Sequence, residues 1–186
     1  LLLSCLMALT ACSGSRSDLA PMSDASAARL AKLADHAPVV VSMAQSVPLA
    51  PELVTRSLGQ FDDLKLVEIP RSALNSLGDA RSLTVWGTGD NLDKLDTRLR
   101  NKLLQSQAAE GWDHERLDAI ATFNTPTANL RQDLAGRGIS VGSLRGGIAT
   151  LNGTPDALLD LLSRADLRSL ELPSLLQPSS GSSVEG

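Results

Sequence analysis

The chain has 186 residues, a formal net charge of −4 and a hydrophobic fraction of 42%, which is enough for one ordinary domain or two small ones. The acidic balance, with a pI near 5.1, argues against nucleic acid as a partner. Aromatic residues make up 2% of the chain, with no tyrosine. Platforms that stack sugars or bases are therefore not expected, and the core should be rich in Leu, Val and Ala.

The amino-terminal segment, LLLSCLMALTAC over residues 1–12, is an apolar run too short to span a bilayer as a helix. It ends in Leu9-Thr10-Ala11-Cys12, which resembles the lipobox of bacterial lipoprotein signals. The resemblance implies removal of residues 1–11 and acylation of Cys12, which anchors the chain in the membrane. Ser13 rather than aspartate follows, which resembles the pattern for sorting to the outer membrane, facing the periplasm. A second lipobox at residues 2–5 and a buried core helix are the alternatives.

Both ends of the chain are expected to lie outside the folded part. The sequence starts with Leu1 and lacks the charged region of a signal, so we expect a fragment at this end. Residues 12–37 pass from Ser, Gly and Asp into an alanine-rich stretch, which predicts a tether that grades into a helix. Residues 177–186, QPSSGSSVEG, are small and polar, which predicts a flexible tail over residues 174–186. Folded structure is expected over residues 38–173, without disulfides, because both cysteines lie at or before the cleavage point.

Residues 38–89 predict a first α+β unit. Its strands are indicated by β-branched or alternating apolar residues. Pro51 near a helix start and Gly59 at its end are typical helix boundary signals. The expected elements are strands at residues 38–43, 64–70 and 81–86 and helices at residues 51–59 and 72–77.

Residues 90–111 predict a linking helix. Leu92, Leu95, Leu99 and Leu103 recur at spacings of three and four, which puts them on one helical face. We interpret this stripe as packing within the protein, and a groove for a partner is the alternative.

Residues 112–173 predict a second unit with the order β-α-β-β-α-β, which is that of a ferredoxin-like fold with two helices on one face of an antiparallel sheet. Short phrases recur between the units, since Ser72-Ala73-Leu74 matches Asp156-Ala157-Leu158. In the first unit, too few residues lie between Gly59 and Asp63 for a further strand. We therefore expect the first unit to be a degenerate or differently connected copy. The expected elements of the second unit are strands at residues 117–123, 139–144, 148–151 and 167–172 and helices opened by Thr125-Pro126 and Thr154-Pro155.

The phrase ATLNGTPDALLDLL over residues 149–162, followed by a strand that ends in Glu171-Leu172-Pro173, resembles the second half of subtilisin propeptide-like inhibitor domains. The resemblance covers residues 115–173. It implies binding of a subtilisin-like serine protease, with the exposed sheet face on protease helices. It also implies that the segment after the last strand lies in the substrate cleft like a product. That segment is Pro173, Ser174, Leu175 and Leu176.

Residues typical of catalysis are sparse. His36 and His114 are the two histidines, and both lie in hydrophilic connections. The cluster over residues 112–115, WDHE, offers three polar ligands at adjacent positions, which is more typical of a surface turn than of a metal site. The sequence contains neither a phosphate-binding loop before a helix nor a Gly-x-Ser-x-Gly motif. We therefore predict a protein without cofactor or metal that is not an enzyme.

Three functions remain open. The first is a lipoprotein whose ferredoxin-like module binds another protein, in its sharpest form as a protease inhibitor or chaperone. The second is an assembly or scaffold component of the cell envelope. The third is a regulatory domain that binds a small molecule between the two units.

Overall fold

A computed structural model of the chain describes residues 22–77, 83–109 and 114–174. The expected signal, Cys12, Leu175 and Leu176 lie outside these residues. The protein is an α+β protein with two four-stranded antiparallel sheets. The first four strands in chain order form sheet A and the last four form sheet B. The described elements are α1 (Asp24–Ala31), β1 (Val39–Ala44), a 3-10 helix (Pro51–Leu53), β2 (Arg56–Phe61), β3 (Leu64–Ile69), a second 3-10 helix (Arg71–Ser76), β4 (Thr84–Gly87), α2 (Gly89–Leu92), α3 (Thr97–Ala108), β5 (Leu117–Phe123), α4 (Leu130–Gly136), β6 (Ser140–Arg145), β7 (Ile148–Gly153), α5 (Pro155–Leu161) and β8 (Leu167–Glu171).

The two sheets have the same topology. The strand order is β2-β3-β1-β4 in sheet A and β6-β7-β5-β8 in sheet B, so each first strand lies between the third and the fourth of its unit. The central pairs also correspond in register, because Val39 faces Ile69 in sheet A and Leu117 faces Gly153 in sheet B. Both units are therefore ferredoxin-like, and the first is a second copy of the fold.

A β-bulge occurs at the same place in both copies. In β2 the register shifts between Ser57 and Gly59, which leaves Leu58 as the extra residue. In β6 the shift lies between Val141 and Ser143, which leaves Gly142 as the extra residue. A bulge bends a strand and re-aims one side chain. The bulge lies at the same register position in both sheets, so the two units share this backbone irregularity as well as their strand order.

The helix expected at residues 51–59 is wrong. The chain makes a 3-10 turn at Pro51–Leu53 and then enters β2. Asp62 adopts a φ of 51° between Phe61 and Leu64, which are paired, so Asp62 and Asp63 form a tight hairpin turn. The first copy is consequently complete in its strands. It is reduced only in its helices, which are 3-10 turns at Pro51–Leu53 and Arg71–Ser76.

Sheet A is buried on both faces. One face carries Val39, Val41 and Met43 and packs under the 3-10 helices and α1. The opposite face carries Val40, Leu58, Leu66 and Trp86 and packs on leucines of α3 and of the second unit. Sheet A is therefore the middle layer of the protein, and α3 fills the space between it and the second unit.

The expected single linking helix is instead two helices, α2 and α3, separated at residues 93–96. The break lies at the edge of β8, where Asp96 N donates to Leu170 O at 2.9 Å and Leu170 N donates to Lys94 O at 2.8 Å. The connection thus pairs with β8 like a short strand. All four leucines of the predicted stripe are nevertheless buried within the protein, as interpreted: Leu92, Leu95, Leu99 and Leu103.

Sheet B has helices on one face, as the sequence predicts. Leu130 and Leu134 of α4 and Leu158 and Leu161 of α5 are fully buried against it. The Thr154 side chain caps α5 by accepting from Ala157 N at 3.3 Å, whereas α4 begins at Leu130 and not at Thr125-Pro126. Gly146 and Gly147 turn the β6–β7 hairpin at φ values of 57° and 83°, which few other residues adopt.

Helix α1 joins the two units through Arg29. It lies within the segment expected to be a tether, yet its Arg29 side chain is 5% exposed. Nε of Arg29 donates to Val85 O of sheet A at 2.7 Å, and Nη2 donates to Asp156 Oδ1 of the second unit at 2.6 Å. Nη1 reaches Asp160 Oδ1 at 3.1 Å. Ser26 Oγ of α1 accepts from Val85 N at 3.1 Å, so α1 satisfies both backbone groups at the edge of β4.

We expect Arg29→Met to lower the free energy of unfolding by about 3 kcal/mol, because it leaves the Val85 carbonyl and two carboxylates without their donor. Urea unfolding measures the effect as a lower midpoint. Lys32→Met is the matched control, since it removes an equal charge from an exposed residue next to α1. Equal midpoints for the two variants would contradict the joining role of Arg29.

A second ionic cluster, centred on Arg164, links the segment after α5 to α4 and to β5. Arg164 donates to both oxygens of Asp166 at 2.8 Å and also bonds to Asp133, and its guanidinium lies 5.8 Å from the centroid of the Phe123 ring. These hydrogen bonds from Arg164 are the main cause that lowers the pKa of Asp133 and of Asp166. Because the carboxylates titrate lower in the folded state, their stabilisation is full above the unfolded pKa and is lost as pH falls through the folded pKa.

We expect the difference in urea midpoint between the native chain and Arg164→Met to be largest near neutral pH. It should shrink below about pH 4, where aspartates of the unfolded chain become protonated. Arg145→Met, at an exposed arginine of β6, should show no such pH-dependent difference. A difference that stays constant from pH 7 to pH 3 would assign the effect of Arg164 to packing on Phe123 instead.

Candidate functional site

We call the face of sheet B opposite α4 and α5 its open face. The side chains on this face alternate with buried ones along β5 and β7. Its central residues are Ile120 and Thr122 of β5 and Ile148 and Thr150 of β7, which pair across the two strands. Ile148 is 52% exposed, and no other large hydrophobic residue that the structure describes is exposed to this extent. Polar residues surround the two isoleucines on the same face: Asp118, Ser143, Asn152, Ser169 and Glu171.

The equivalent face of sheet A shows what this position does in the first copy. There Val40 and Leu66 stand where Asp118 and Thr150 stand in sheet B, by the correspondence of the central strands. Both are fully buried under α3. Among the residues that the structure describes, the same face of one fold is thus covered by a helix in the first unit and by no element in the second.

Hydrogen bonds order the polar end of the open face. Arg116 Nε donates to Asn152 Oδ1 at 2.6 Å, and Asn152 Nδ2 donates to Asp118 Oδ1 at 2.8 Å. Ser143 N donates to Thr150 Oγ1 at 2.8 Å. These hydrogen bonds restrict the rotamers of the side chains at this end of the face.

The strand edges of sheet B are less suited to binding than its face. The edge of β8 is paired with residues 94–96. The edge of β6 is interrupted by its bulge, and Arg131 Nη1 donates to Val141 O at 2.7 Å. Bulges and charged side chains on an edge discourage pairing with a further strand. The face, rather than an edge, is therefore the candidate surface.

The segment predicted to bind a protease leaves sheet B directly after β8. Pro173 is half-buried and Ser174 is exposed. Arg98 of α3 lies beside them, with Nη2 at 3.4 Å from Ser174 Oγ and 3.5 Å from Leu172 O. Leu175 and Leu176 lie outside the described residues, as does the predicted lipidation site Cys12.

A cleft of about 150 Å³ lies between the units, beside Arg29, Trp86 and Asp160. It is the place where the sequence allowed a small ligand. The donors of Arg29 that face it are engaged with Asp156 and Asp160. A ligand would have to compete with those bonds. The cleft is therefore better explained as part of the contact between the two units than as a ligand site.

The polar cluster over residues 112–115 is described only in part. His114 is exposed, and Glu115 forms an ion pair with Lys102 at 3.7 Å. In the part of the chain that the structure describes, no three His, Cys, Asp or Glu side chains are grouped to hold a metal ion. Every helix within residues 22–77, 83–109 and 114–174 is too short or too polar to span a bilayer.

Sequence reasoning did not single out the residues of the open face. Ile148, Thr150 and Asn152 alternate with the buried Ala149 and Leu151, and this period of two was the signal available. Comparison with protein-family models, with curated proteins and with solved structures gave no match. The candidate site therefore rests on the geometry of this chain.

Proposed function

We propose that the chain is a non-enzymatic bacterial lipoprotein that binds another protein through the open face of sheet B, with Cys12 as its membrane anchor. The observation that carries the proposal is the contrast between the two copies of the fold. No described element covers in sheet B the face that α3 covers in sheet A, and this face presents Ile120 and Ile148 among hydrogen-bonded polar groups. Apolar residues surrounded by polar ones are typical of surfaces that bind a partner reversibly.

The sharper form of the proposal is a subtilisin propeptide-like inhibitor or chaperone. In that mode the open face would pack on the protease, and Pro173 to Leu176 would enter its cleft as an extended peptide. Two features support it, namely the ferredoxin-like strand order of the second unit and the exit of the segment at Pro173 directly after β8.

The experiment is a titration of residues 13–186 against a subtilisin-type protease, alongside a version that ends at Pro173. We expect saturable inhibition by the first and at least a tenfold weaker inhibition by the second. Rapid degradation of both without inhibition would exclude the inhibitor role and would favour a scaffold role in the cell envelope.

Ile148→Asp tests the open face itself. We expect it to weaken inhibition at least tenfold at an unchanged melting temperature, because it places a charge at the centre of the contact without removing a core residue. Gln132→Asp adds the same charge to α4, at an exposed position on the other side of sheet B. The proposal fails if both variants inhibit as well as the native chain.

Cys12→Ser tests the anchor. When the chain is expressed with its signal in a Gram-negative host, we expect labelled palmitate to be incorporated into the native protein and not into the variant. Cys5→Ser is the matched control for the alternative lipobox. Labelling that is lost in Cys5→Ser instead would assign the lipid anchor to Cys5. A native protein that is not labelled would contradict the lipid anchor altogether.

A further inference from the structure

The open face of sheet B carries opposite charges on its two outer strands. Arg145 is the last residue of β6 and pairs with Ile148, and Glu171 is the last residue of β8 and pairs with Ile120. Paired residues of neighbouring strands project to the same side of a sheet, so both charges lie on the face of the two isoleucines. The face therefore has a positive charge on β6, an isoleucine on each central strand and a negative charge on β8.

Neither of these charges is neutralised within the described part of the chain. Arg145 and Glu171 are exposed and form no ion pair there, and Glu171 Oε1 accepts a hydrogen bond from the neutral Ser169 Oγ at 2.9 Å. Three strand spacings, about 14 Å across the sheet, separate the two side chains from each other. Both are consequently available to an opposite charge on another molecule.

The first copy of the fold shows where the Arg145 position projects. Phe61 pairs with Leu64 at the end of β2, as Arg145 pairs with Ile148 at the end of β6. Phe61 is partly buried and packs against the core cluster that contains α3. This position therefore points toward whatever covers the face, and in the second copy it holds a charge instead of an aromatic ring.

The strand order makes this pattern of charges complementary to itself. Because the order is β6-β7-β5-β8, a two-fold rotation can lay one open face on another with β6 over β8 and β7 over β5. Each Arg145 then faces Glu171 of the second copy, and each Ile148 faces Ile120. The other alignment, with β6 over β6 and β8 over β8, brings strands of like charge together and is disfavoured.

We propose that a second copy of this chain covers the open face of sheet B, in a two-fold dimer with an Arg145–Glu171 contact on each side of the isoleucines. The occupant follows from charge complementarity, since one face supplies both halves of each contact. The inference goes beyond the proposed function, because it does not depend on which other protein the face binds. Such a protein has to displace the second copy.

The size of the face determines how stable this dimer is. Four strands about 4.8 Å apart and five residues with a rise of about 3.3 Å give a face of about 300 Å² per copy. Stable complexes bury about 800 Å² per partner. The dimer is therefore reversible and depends on concentration, and a partner with a larger contact can replace the second copy.

Sedimentation equilibrium of residues 13–186 tests the dimer. We expect a monomer–dimer equilibrium with a dissociation constant below about 1 mM. Arg145→Glu and Glu171→Arg should each weaken it about tenfold or more, because each change places like charges at both contacts. A mixture of the two variants should form a mixed dimer with the native affinity, since opposite charges then meet again at both contacts.

Lys32→Glu is the matched control, because it reverses one exposed positive charge outside the open face. It should dimerise as the native chain does. A labelled trace of Glu171→Arg should bind Arg145→Glu at least about fivefold more tightly than it binds Lys32→Glu, although these two variants have the same net charge. Equal affinities, or a native chain that remains monomeric at about 1 mM, would overturn the proposal.

The outcomes separate this inference from the proposed function. A chain that inhibits the protease but remains monomeric would overturn the dimer and leave the proposed function intact. A dimer with the expected response to Arg145→Glu and Glu171→Arg, in a chain that does not inhibit, would support the second copy and count against the protease. If both activities are found, the protease should dissociate the dimer.

Discussion

Sheet A is buried on both faces, mostly through apolar side chains, and the arrangement of the described structure follows from this constraint. A sheet with two apolar faces has to be covered twice. Its own 3-10 helices are too short to cover even one face alone, so Leu30 of α1 and Leu33, which follows α1, pack beside them. The other face is covered by α3, which also contacts the second unit through the same core cluster. Burial of sheet A thus brings the two copies together.

Buried polar contacts select one orientation for these covering helices. On the α3 side, Trp86 Nε1 donates to Ser42 Oγ at 2.9 Å, Ser42 Oγ donates to Gln107 Oε1 at 2.6 Å, and Gln107 Nε2 donates to Thr84 Oγ1 at 2.7 Å. On the α1 side, Arg29 bonds to sheet A and to α5 at once. A displaced helix would leave these groups buried without partners, which costs more than the bonds contribute.

The two copies of the fold differ in what covers the same face among the described residues. In the first, Val40, Leu58 and Leu66 make that face part of the core. In the second, Asp118, Gly142 and Thr150 make it polar and leave a depression at the bulge. The face of sheet A contributes to the stability of the fold by packing on α3. The equivalent face of sheet B packs on no described element and could therefore contact a partner. The binding proposal depends on this difference and not on any catalytic group.

The α+β class, the second ferredoxin-like unit and most strands could be predicted from local sequence patterns, because alternation of apolar residues and glycine turns such as Gly146-Gly147 act locally. These patterns did not determine β2, since Pro51 and Gly59 are equally compatible with a helix, and only pairing with β3 makes residues 56–61 a strand. The break between α2 and α3 and the burial of Arg29 were also decided by tertiary structure. Both depend on partners distant in the chain, Leu170 and Asp156, that no local pattern reveals. The open face could not be predicted for the same reason. Whether Ile148 is exposed depends on which distant elements pack on that face, and no local pattern reveals this.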